Sequence, residues 1–371
     1  MPDFLFVTLD AGGNLPPALG IARELLRDGH RVRFLGYPQQ EATIEAAGAE
    51  FRPYRNAARM TPAEQLPTLQ QVSMLVSVFG DAGIAGDLLE EARRDPPDVV
   101  VVDCLLLGAL DAAARAGLRT AALVHSFYAF FDGPFRRTPI TAALAARGLG
   151  PRRVMNRADR ILVCSDRFLD PAAERNGHGR AVWCGPVVDV DGLAAPPHGT
   201  PRVLVSLSTT AFPGQEAFLQ KTLDAVAAMP LEVVVTTGPA IDPARLRAPA
   251  NTTVHRYLPH KEVMPGCSAV IGHGGHATTM LALAHGLPLV MVPMHPLLDQ
   301  HMVGRAVQAA GAGLLTKASS PKEEIARAVA TVVNSAIFHT AASAVGRRIR
   351  EAEGARTGAR LLGDLVADRQ L

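Results

Sequence analysis

Short apolar runs alternate with helix-periodic segments along the chain, and this alternation restricts the fold more than any other feature. FLFVTL, RVRFLG, DVVVVD (98–103), TAALVH (120–125), RILVC (160–164) and AVWC (181–184) are strand-length and almost continuously apolar. Between the first two, Leu19, Ala22, Leu25 and Leu26 recur at helical spacing, and Gly29 stands where a C′ residue belongs. Strands that are apolar throughout must be buried on both faces, which calls for a parallel sheet with helices on each side. The pattern pauses at GPVVDVDGLAAPPHGTPR and restarts with RVLVSL, LEVVVTTG, SAVIG and LPLVMVP. The expected fold is α/β, with two Rossmann-like parallel-sheet domains. Their bounds are 1–188 and 202–350, with a linker at 189–201 and a last helix, 351–371, packing back on the first domain.

Length supports two cores, because 371 residues exceed the roughly 250–300 at which a single core stops growing. Net charge is +2 and no basic block runs along any segment, so nucleic acid and anionic membrane are excluded as expected partners. MPDFLFVTLD lacks a basic leader region, and LAHGLPLVMVPMHPLL is broken by Gly, His and Pro. No signal peptide or membrane span is expected, and the location expected is cytoplasmic. Cys104, Cys164, Cys184 and Cys267 lack metal or redox spacing and read as buried free thiols.

Open α/β sheets bind ligands outside the carboxyl ends of their strands, so the residues following each apolar run are the candidates. Asp10 follows FLFVTL, Asp103 ends DVVVVD, His125 follows AALV, Ser208 and Thr209 follow VLVSL, and His273 follows AVIG. Polarity resumes at any strand end, but this concentration points to a site between the two sheets. In IGHGGHATTM a helix starting near His276 offers unpaired N–H groups and a partial positive end to an anion. Gly274 and Gly275 allow close approach, and His273, Thr278 and Thr279 can add hydrogen bonds. A diphosphate would satisfy all of them; an ordinary glycine-rich turn with a capping threonine accounts for the same stretch. Asp299 and Gln300 open a second helix, either as a cap or as partners for sugar hydroxyls. His125, Phe127 and Phe130, within HSFYAFF, either line an apolar acceptor pocket or belong to the core.

HGGHATTMLALAHGLPLVMVPMHPLLDQ resembles the donor-site signature of family 1 glycosyltransferases, which have the GT-B fold of two Rossmann-like domains facing across a cleft. RYLPHKEVMPGCSAVIGHGG, VLVSLSTT, DAGGNLPPALGIARELLRDGHRV and PPDVVVVDCLLLGALDAAARAGLRTA resemble further segments of that family, which includes plant UGTs and bacterial antibiotic glycosyltransferases. The resemblance implies that His273, Gly274, Gly275, Thr278 and Thr279 hold a diphosphate, with Ser208 or Thr209 on its other side. It also implies that Tyr257 or Leu258 lies against the base and that Asp299 and Gln300 bind the sugar. The chain departs from the pattern at Val303 and Gly304, where the family usually has Asn-Ala, and by two extra residues between Pro293 and Asp299.

The implied reaction is an inverting transfer from a UDP- or dTDP-sugar to a hydroxyl of a small apolar or aromatic natural product. The family commonly places a histidine base where this chain has Asn14, backed by an acid that Asp103 matches. An amide cannot act as a base, and positioned acid–base catalysis is worth roughly 10²–10⁴-fold. Three readings follow, in this order: Asp103, or less so Asp10, acts directly while Asn14 orients the acceptor; the acceptor is itself acidic, such as a phenol; or the protein is an auxiliary that binds a nucleotide-sugar without turnover. Gly13, Asn14, His125, Phe127 and Phe130 are the expected acceptor contacts. No metal or other cofactor is expected: Asp189-Val190-Asp191 falls in the linker, and His276, His285, His295 and His301 lack ligand spacing. A nicotinamide oxidoreductase would need G-x-G-x-x-G after the first strand, which DAGGNLPPALG does not supply. The partners expected are the nucleotide-sugar, the acceptor and a second copy of the chain in a homodimer.

Overall fold

The computed structural model describes residues 1–60, 64, 67–175, 179–190, 199–207 and 210–367. The chain divides into two compact units, the first formed by Met1–Thr61, Leu66–Val187 and Ala352–Leu371, the second holding Val188–Glu351.

In the first unit the strands are β1 (Asp3–Val7), β2 (Arg31–Gly36), β3 (Glu50–Pro53), β4 (Val99–Asp103), β5 (Thr120–Val124), β6 (Arg160–Val163) and β7 (Ala181–Trp183). They form one sheet in the order β3-β2-β1-β4-β5-β6-β7, parallel throughout. Its helices are α1 (Leu15–Arg27), α2 (Glu41–Glu45), α3 (Thr68–Phe79), α4 (Ala82–Arg94), α5 (Leu107–Arg115), α6 (Tyr128–Phe131), α7 (Pro139–Ala146) and α8 (Pro151–Met155). The order reverses between β1 and β4, and a sheet of this kind opens a binding crevice at such a reversal. Asn14, after β1, and Asp103, ending β4, both belong to it.

The second unit repeats the plan. β8 (Arg202–Ser206), β9 (Glu232–Thr236), β10 (Thr252–His255), β11 (Ala269–Gly272), β12 (Leu289–Met291) and β13 (Gly313–Leu315) pair in the order β10-β9-β8-β11-β12-β13, all parallel. The helices are α9 (Gln215–Val226), α10 (His260–Val263), α11 (His276–Ala284), α12 (Gln300–Ala309), α13 (Lys322–Asn334) and α14 (Ala336–Glu351). Here the reversal lies between β8 and β11, and His273 follows β11 directly. Each sheet buries its own apolar set, Phe4, Phe6 and Val101 among others in the first, Val205, Val235 and Ile271 in the second.

The last helix, α15 (Gly354–Ala367), packs on α1 within the first unit. Two glycines permit the approach: a Cβ at Gly354 would come within 2.3 Å of the Pro186 carbonyl oxygen, and one at Gly358 within 2.9 Å of Ile21. Leu69–Arg94 is long and apolar enough by composition to cross a membrane. Gly80 and Asp81 divide it into α3 and α4, however, and Asp81 caps the second by accepting from Gly83 and Ile84 N–H. Asp87 and Glu91 of α4 are buried in the domain.

Gly346 brings α14 against the carboxyl end of α11, since a Cβ there would lie 2.0 Å from the Leu283 carbonyl oxygen. Backbone cannot yield as a side-chain tip does, so Gly346→Ala is expected to destabilise the second unit by about 1–3 kcal/mol. A lower urea midpoint for the transition of that unit checks this.

Candidate active site

In the first unit, three polar side chains meet at the β1–β4 reversal. Asn14 Nδ2 donates to Asp103 Oδ2 at 2.9 Å and stands 2.8 Å from His125 Nε2. Asp103 Oδ2 is itself 3.5 Å from His125 Nε2. The fold brings them together through strand pairing: β4 and β5 are neighbours with Asp103 opposite Leu123, so His125 emerges beside Asp103. Asn14 enters from the start of α1, where Pro16 and Pro17 fix the first turn.

Proton accounting orients the group. A carboxylate accepts only, so the nitrogen of the Asn14 amide must face Asp103. A second N–H of the same nitrogen then meets His125 Nε2, which must offer its lone pair, leaving the ring proton on Nδ1. Asp103 has few acceptor positions left, because Oδ1 also accepts from Leu105 N–H at 2.9 Å. The His125 side chain is 12% exposed against 4% for Asp103, so the imidazole is the more reachable base. Burial disfavours a charged His125 ring and the Asp103 carboxylate favours one; the Cys104 sulfur would add to that pull only as a thiolate, and burial keeps it a neutral thiol, so the ring that accepts from Asn14 is the neutral one.

Asp10 is not part of this group. Its carboxylate accepts from Gln39 Nε2 at 2.7 Å, and Gly13 N–H donates to the Ala11 carbonyl in the same turn. Phe127 is fully buried and Phe130 is 7% exposed, packed against Phe131 and Phe135. Both side chains therefore lie in the domain's apolar packing, while Asp170 fixes α6 by accepting from Tyr128 and Ala129 N–H. An open cavity of about 430 Å³ does exist in this unit, lined by Tyr37, Gln39, Tyr54, Arg59 and Met60 among others. The Tyr54 hydroxyl in its wall donates to the Thr8 carbonyl at 2.9 Å, and burial holds it well above its ordinary pKa.

In the second unit, α11 begins at the β8–β11 reversal with Gly275 as N-cap, which has no side chain to accept from the first turn. Thr279 N–H is spent on the Gly275 carbonyl at 3.0 Å, leaving Ala277 and Thr278 N–H for an anion. Gly274 has φ +82°, and a Cβ there would sit 2.9 Å from the Gln300 carbonyl oxygen. His273 lies over Gly275, where a Cβ would come within 2.4 Å of Nε2. Its Nδ1 is buried without a partner.

Burial lowers the His273 pKa to about 4. The ring is therefore neutral at pH 7 and offers a hydrogen bond; the charge at this site comes from the helix end. A charged clamp with an ordinary histidine pKa would lose nucleotide affinity as pH rises through about 6.5. With His273 already neutral, affinity for a nucleoside diphosphate is expected to be level between pH 7 and pH 8, and calorimetric titration at both values checks this.

Thr279 is buried and Thr278 half-buried. Asp299 stands at the N-cap of α12 without bonding its first turn, so capping does not account for it. Gln300 is 2% exposed, and its Oε1 accepts from Met294 N–H at 2.7 Å and His295 N–H at 3.1 Å. Only its Nε2 remains for a sugar, as a donor. Tyr257 is 76% exposed, Leu258 half-buried, and Ser208 and Thr209 lie outside the described residues. Gly304 is explained by packing, since a Cβ there would meet Leu315 at 2.5 Å. Asp189 pairs with Lys261 Nζ at 2.7 Å, and Asp191 is outside the described residues. Among the described residues, His276, His285, His295 and His301 join no group of three metal-binding side chains.

Two features escaped sequence reasoning. Thr236 Oγ1 donates to Ser206 Oγ at 2.8 Å, so its lone pair accepts from His260 Nε2 at 3.2 Å. This buried chain braces the ends of β8 and β9, and burial keeps His260 neutral by lowering its pKa. The second is the contact of His125 with Asp103, for which a signal existed: strands of consecutive βαβ units pair, so their end residues are neighbours.

Comparison with known proteins agrees with both halves. Residues 13–184 match a glycosyl transferase 4-like domain, and 220–356 match the C-terminal domain of the erythromycin biosynthesis protein CIII-like family. The 4'-demethylrebeccamycin synthase of Lentzea aerocolonigenes is 27% identical, with 95% of this chain and 96% of that protein covered. The glycotransferase of kitacinnamycin superposes with a TM-score of 0.78 at 24% identity, covering 98% of this chain and all of that one. The glycosyltransferase VinC, solved in complex with dTDP, gives a TM-score of 0.72 at 21% identity, covering 99% and 100%. With two domain families matched in sequence order and a GT-B fold, the chain belongs to the family 1 glycosyltransferases and is a nucleotide-sugar-dependent glycosyltransferase.

Proposed function

We propose that the protein is an inverting, metal-independent transferase that moves a hexose-type sugar from a dTDP- or UDP-sugar to a hydroxyl of a small apolar or aromatic natural product, with His125 as base. The observation that carries the reading is the 2.8 Å approach of a donor group to His125 Nε2, with Asp103 3.5 Å from the same atom. An acceptor hydroxyl would replace the Asn14 amide there and donate to the same lone pair. As its oxygen attacks the anomeric carbon on the face opposite the nucleotide, the proton passes to Nε2. The carbon–oxygen bond to the diphosphate breaks with its electron pair, and the configuration inverts. The imidazolium so formed is stabilised by the Asp103 carboxylate, which turns the buried acid from a direct base into a counter-charge. Negative charge arriving on the leaving diphosphate meets the N-terminal end of α11, with His273, Thr278 and Thr279 as hydrogen-bond partners. Asp299 would accept from, and Gln300 Nε2 donate to, the sugar hydroxyls.

The dTDP held by VinC supports the nucleotide class. The tyrosines in the wall of the first unit's cavity, beside Arg55 and Arg59, support an acceptor that combines an aromatic ring with polar groups. The reading is tested by incubating the protein with dTDP- and UDP-sugars and a panel of phenolic and alcoholic aromatics. Release of nucleoside diphosphate that requires an acceptor, with a product of opposite anomeric configuration to the donor, is the expected result. Saturable nucleotide binding with no product from any acceptor would overturn it.

Asp103→Asn is expected to lower kcat by about 10²-fold, the smaller end of what a positioned base supplies, with the dTDP dissociation constant unchanged. Near-wild-type turnover would remove Asp103 from the mechanism.

A further inference from the structure

We propose that Asp103, Cys104 and His125 form a site for one thiophilic divalent cation of the zinc class, and that its occupation switches transfer off. A carboxylate oxygen, a thiol sulfur and an imidazole nitrogen from these residues all lie within 4.8 Å of one another. Among the described residues no other group of three such side chains converges. The donor set of one oxygen, one nitrogen and one sulfur suits zinc and disfavours magnesium or calcium, which take oxygen ligands.

Geometry agrees with the chemistry. Ligands bonded tetrahedrally at 2.0–2.1 Å stand about 3.3 Å apart along an edge. Asp103 Oδ2 and His125 Nε2 are 3.5 Å apart, so they need almost no movement to share an ion. Asn14 lies against both, with Nδ2 2.9 Å and 2.8 Å from those same two atoms. Rotation of its amide puts Oδ1 in that place, converting the donor into a neutral fourth ligand. The site is sequestered as structural zinc sites are: Cys104 is 1% exposed, Asn14 6% and Asp103 4%. Cys164 and Cys184, with sulfurs 3.7 Å apart, have no converging histidine or carboxylate and are not a competing site.

Binding would release the thiol proton of Cys104 and engage the lone pairs of His125 Nε2 and Asp103 Oδ2. Neither could then take a proton from the acceptor. The inhibition rests on His125 being the base; cation binding does not.

The experiment is a Co²⁺ titration of the full chain, followed by thiolate-to-cobalt charge transfer in the near ultraviolet. One equivalent should saturate the band and Zn²⁺ should abolish it. The band should be absent from Cys104→Ala and from His125→Ala and retained in Cys267→Ala, with the parent's full two-unit melting transition and circular dichroism showing that each variant is folded. No charge-transfer band in the parent chain, or a band that survives Cys104→Ala, would overturn the site. In a parallel assay, Zn²⁺ should suppress transfer more than tenfold and EDTA restore it, with dTDP affinity unaltered. Full transfer with the cation bound would overturn the switch and the assignment of His125 together, while the cation site would stand.

Discussion

His125→Ala lowers kcat by about 10²–10⁴-fold, the span that a positioned base supplies, and leaves the dissociation constant for dTDP where it was. The expectation follows from where the side chain sits. In the resting neutral ring Nε2 accepts from the Asn14 amide at 2.8 Å, and Asp103 at 3.5 Å would stabilise the imidazolium formed once Nε2 takes a proton. No other side chain of the group combines a basic nitrogen lone pair with exposure: Asp103 accepts through both oxygens, and Asn14 has no basic atom. The nucleotide should be indifferent, because the residues assigned to it belong to the other compact unit. Added imidazole should return part of the lost turnover in His125→Ala and none in Asp103→Asn, a difference that a merely structural histidine would not produce. A His125→Ala variant within threefold of the parent rate would exclude it as the base, and would return the question to Asp103 acting alone or to an acceptor acidic enough to need no base.

How much of this was legible in the chain depends on burial. DVVVVD and RVLVSL are apolar on both faces because they lie at the centres of their sheets, so they announce themselves as parallel strands. EFRP and TTVH do not, since β3 and β10 are four-residue edges in which only Phe51 is buried. The glycine turn before α11 was readable because Gly274 is demanded by backbone geometry, which leaves a mark in composition. Asp103 and His125 were readable as polar residues at strand ends and Asn14 through resemblance, with His125 expected among the acceptor contacts. Its meaning lies in a 3.5 Å relation to a residue 22 positions earlier, and no local pattern encodes such a distance. Phe127 and Phe130 show the converse: an aromatic run adjacent to a site looks like a pocket wall until burial shows it to be core.

Gly274→Ala should weaken donor binding more than loss of any single side chain in the turn. At φ +82° an L-residue is strained by about 1–2 kcal/mol. The added methyl would also stand 2.9 Å from the Gln300 carbonyl oxygen, which belongs to the start of α12 and cannot rotate away. The turn must therefore move as a unit, taking the Ala277 and Thr278 N–H groups off the diphosphate and shifting the loop that Gln300 Oε1 holds through Met294 and His295. Losing a helix-end anion site together with its sugar contacts should raise the dTDP dissociation constant by at least about tenfold, or 1.4 kcal/mol, and lower kcat/KM in proportion. Gly275→Ala is the informative control. No positive φ is needed there, and the methyl meets only the His273 ring at 2.4 Å. The ring can swing aside at the cost of one neutral hydrogen bond, about 1 kcal/mol, so affinity should fall by about fivefold. Equal losses in the two variants, or unchanged dTDP binding in Gly274→Ala despite an intact melting transition, would show that the diphosphate does not sit on this turn.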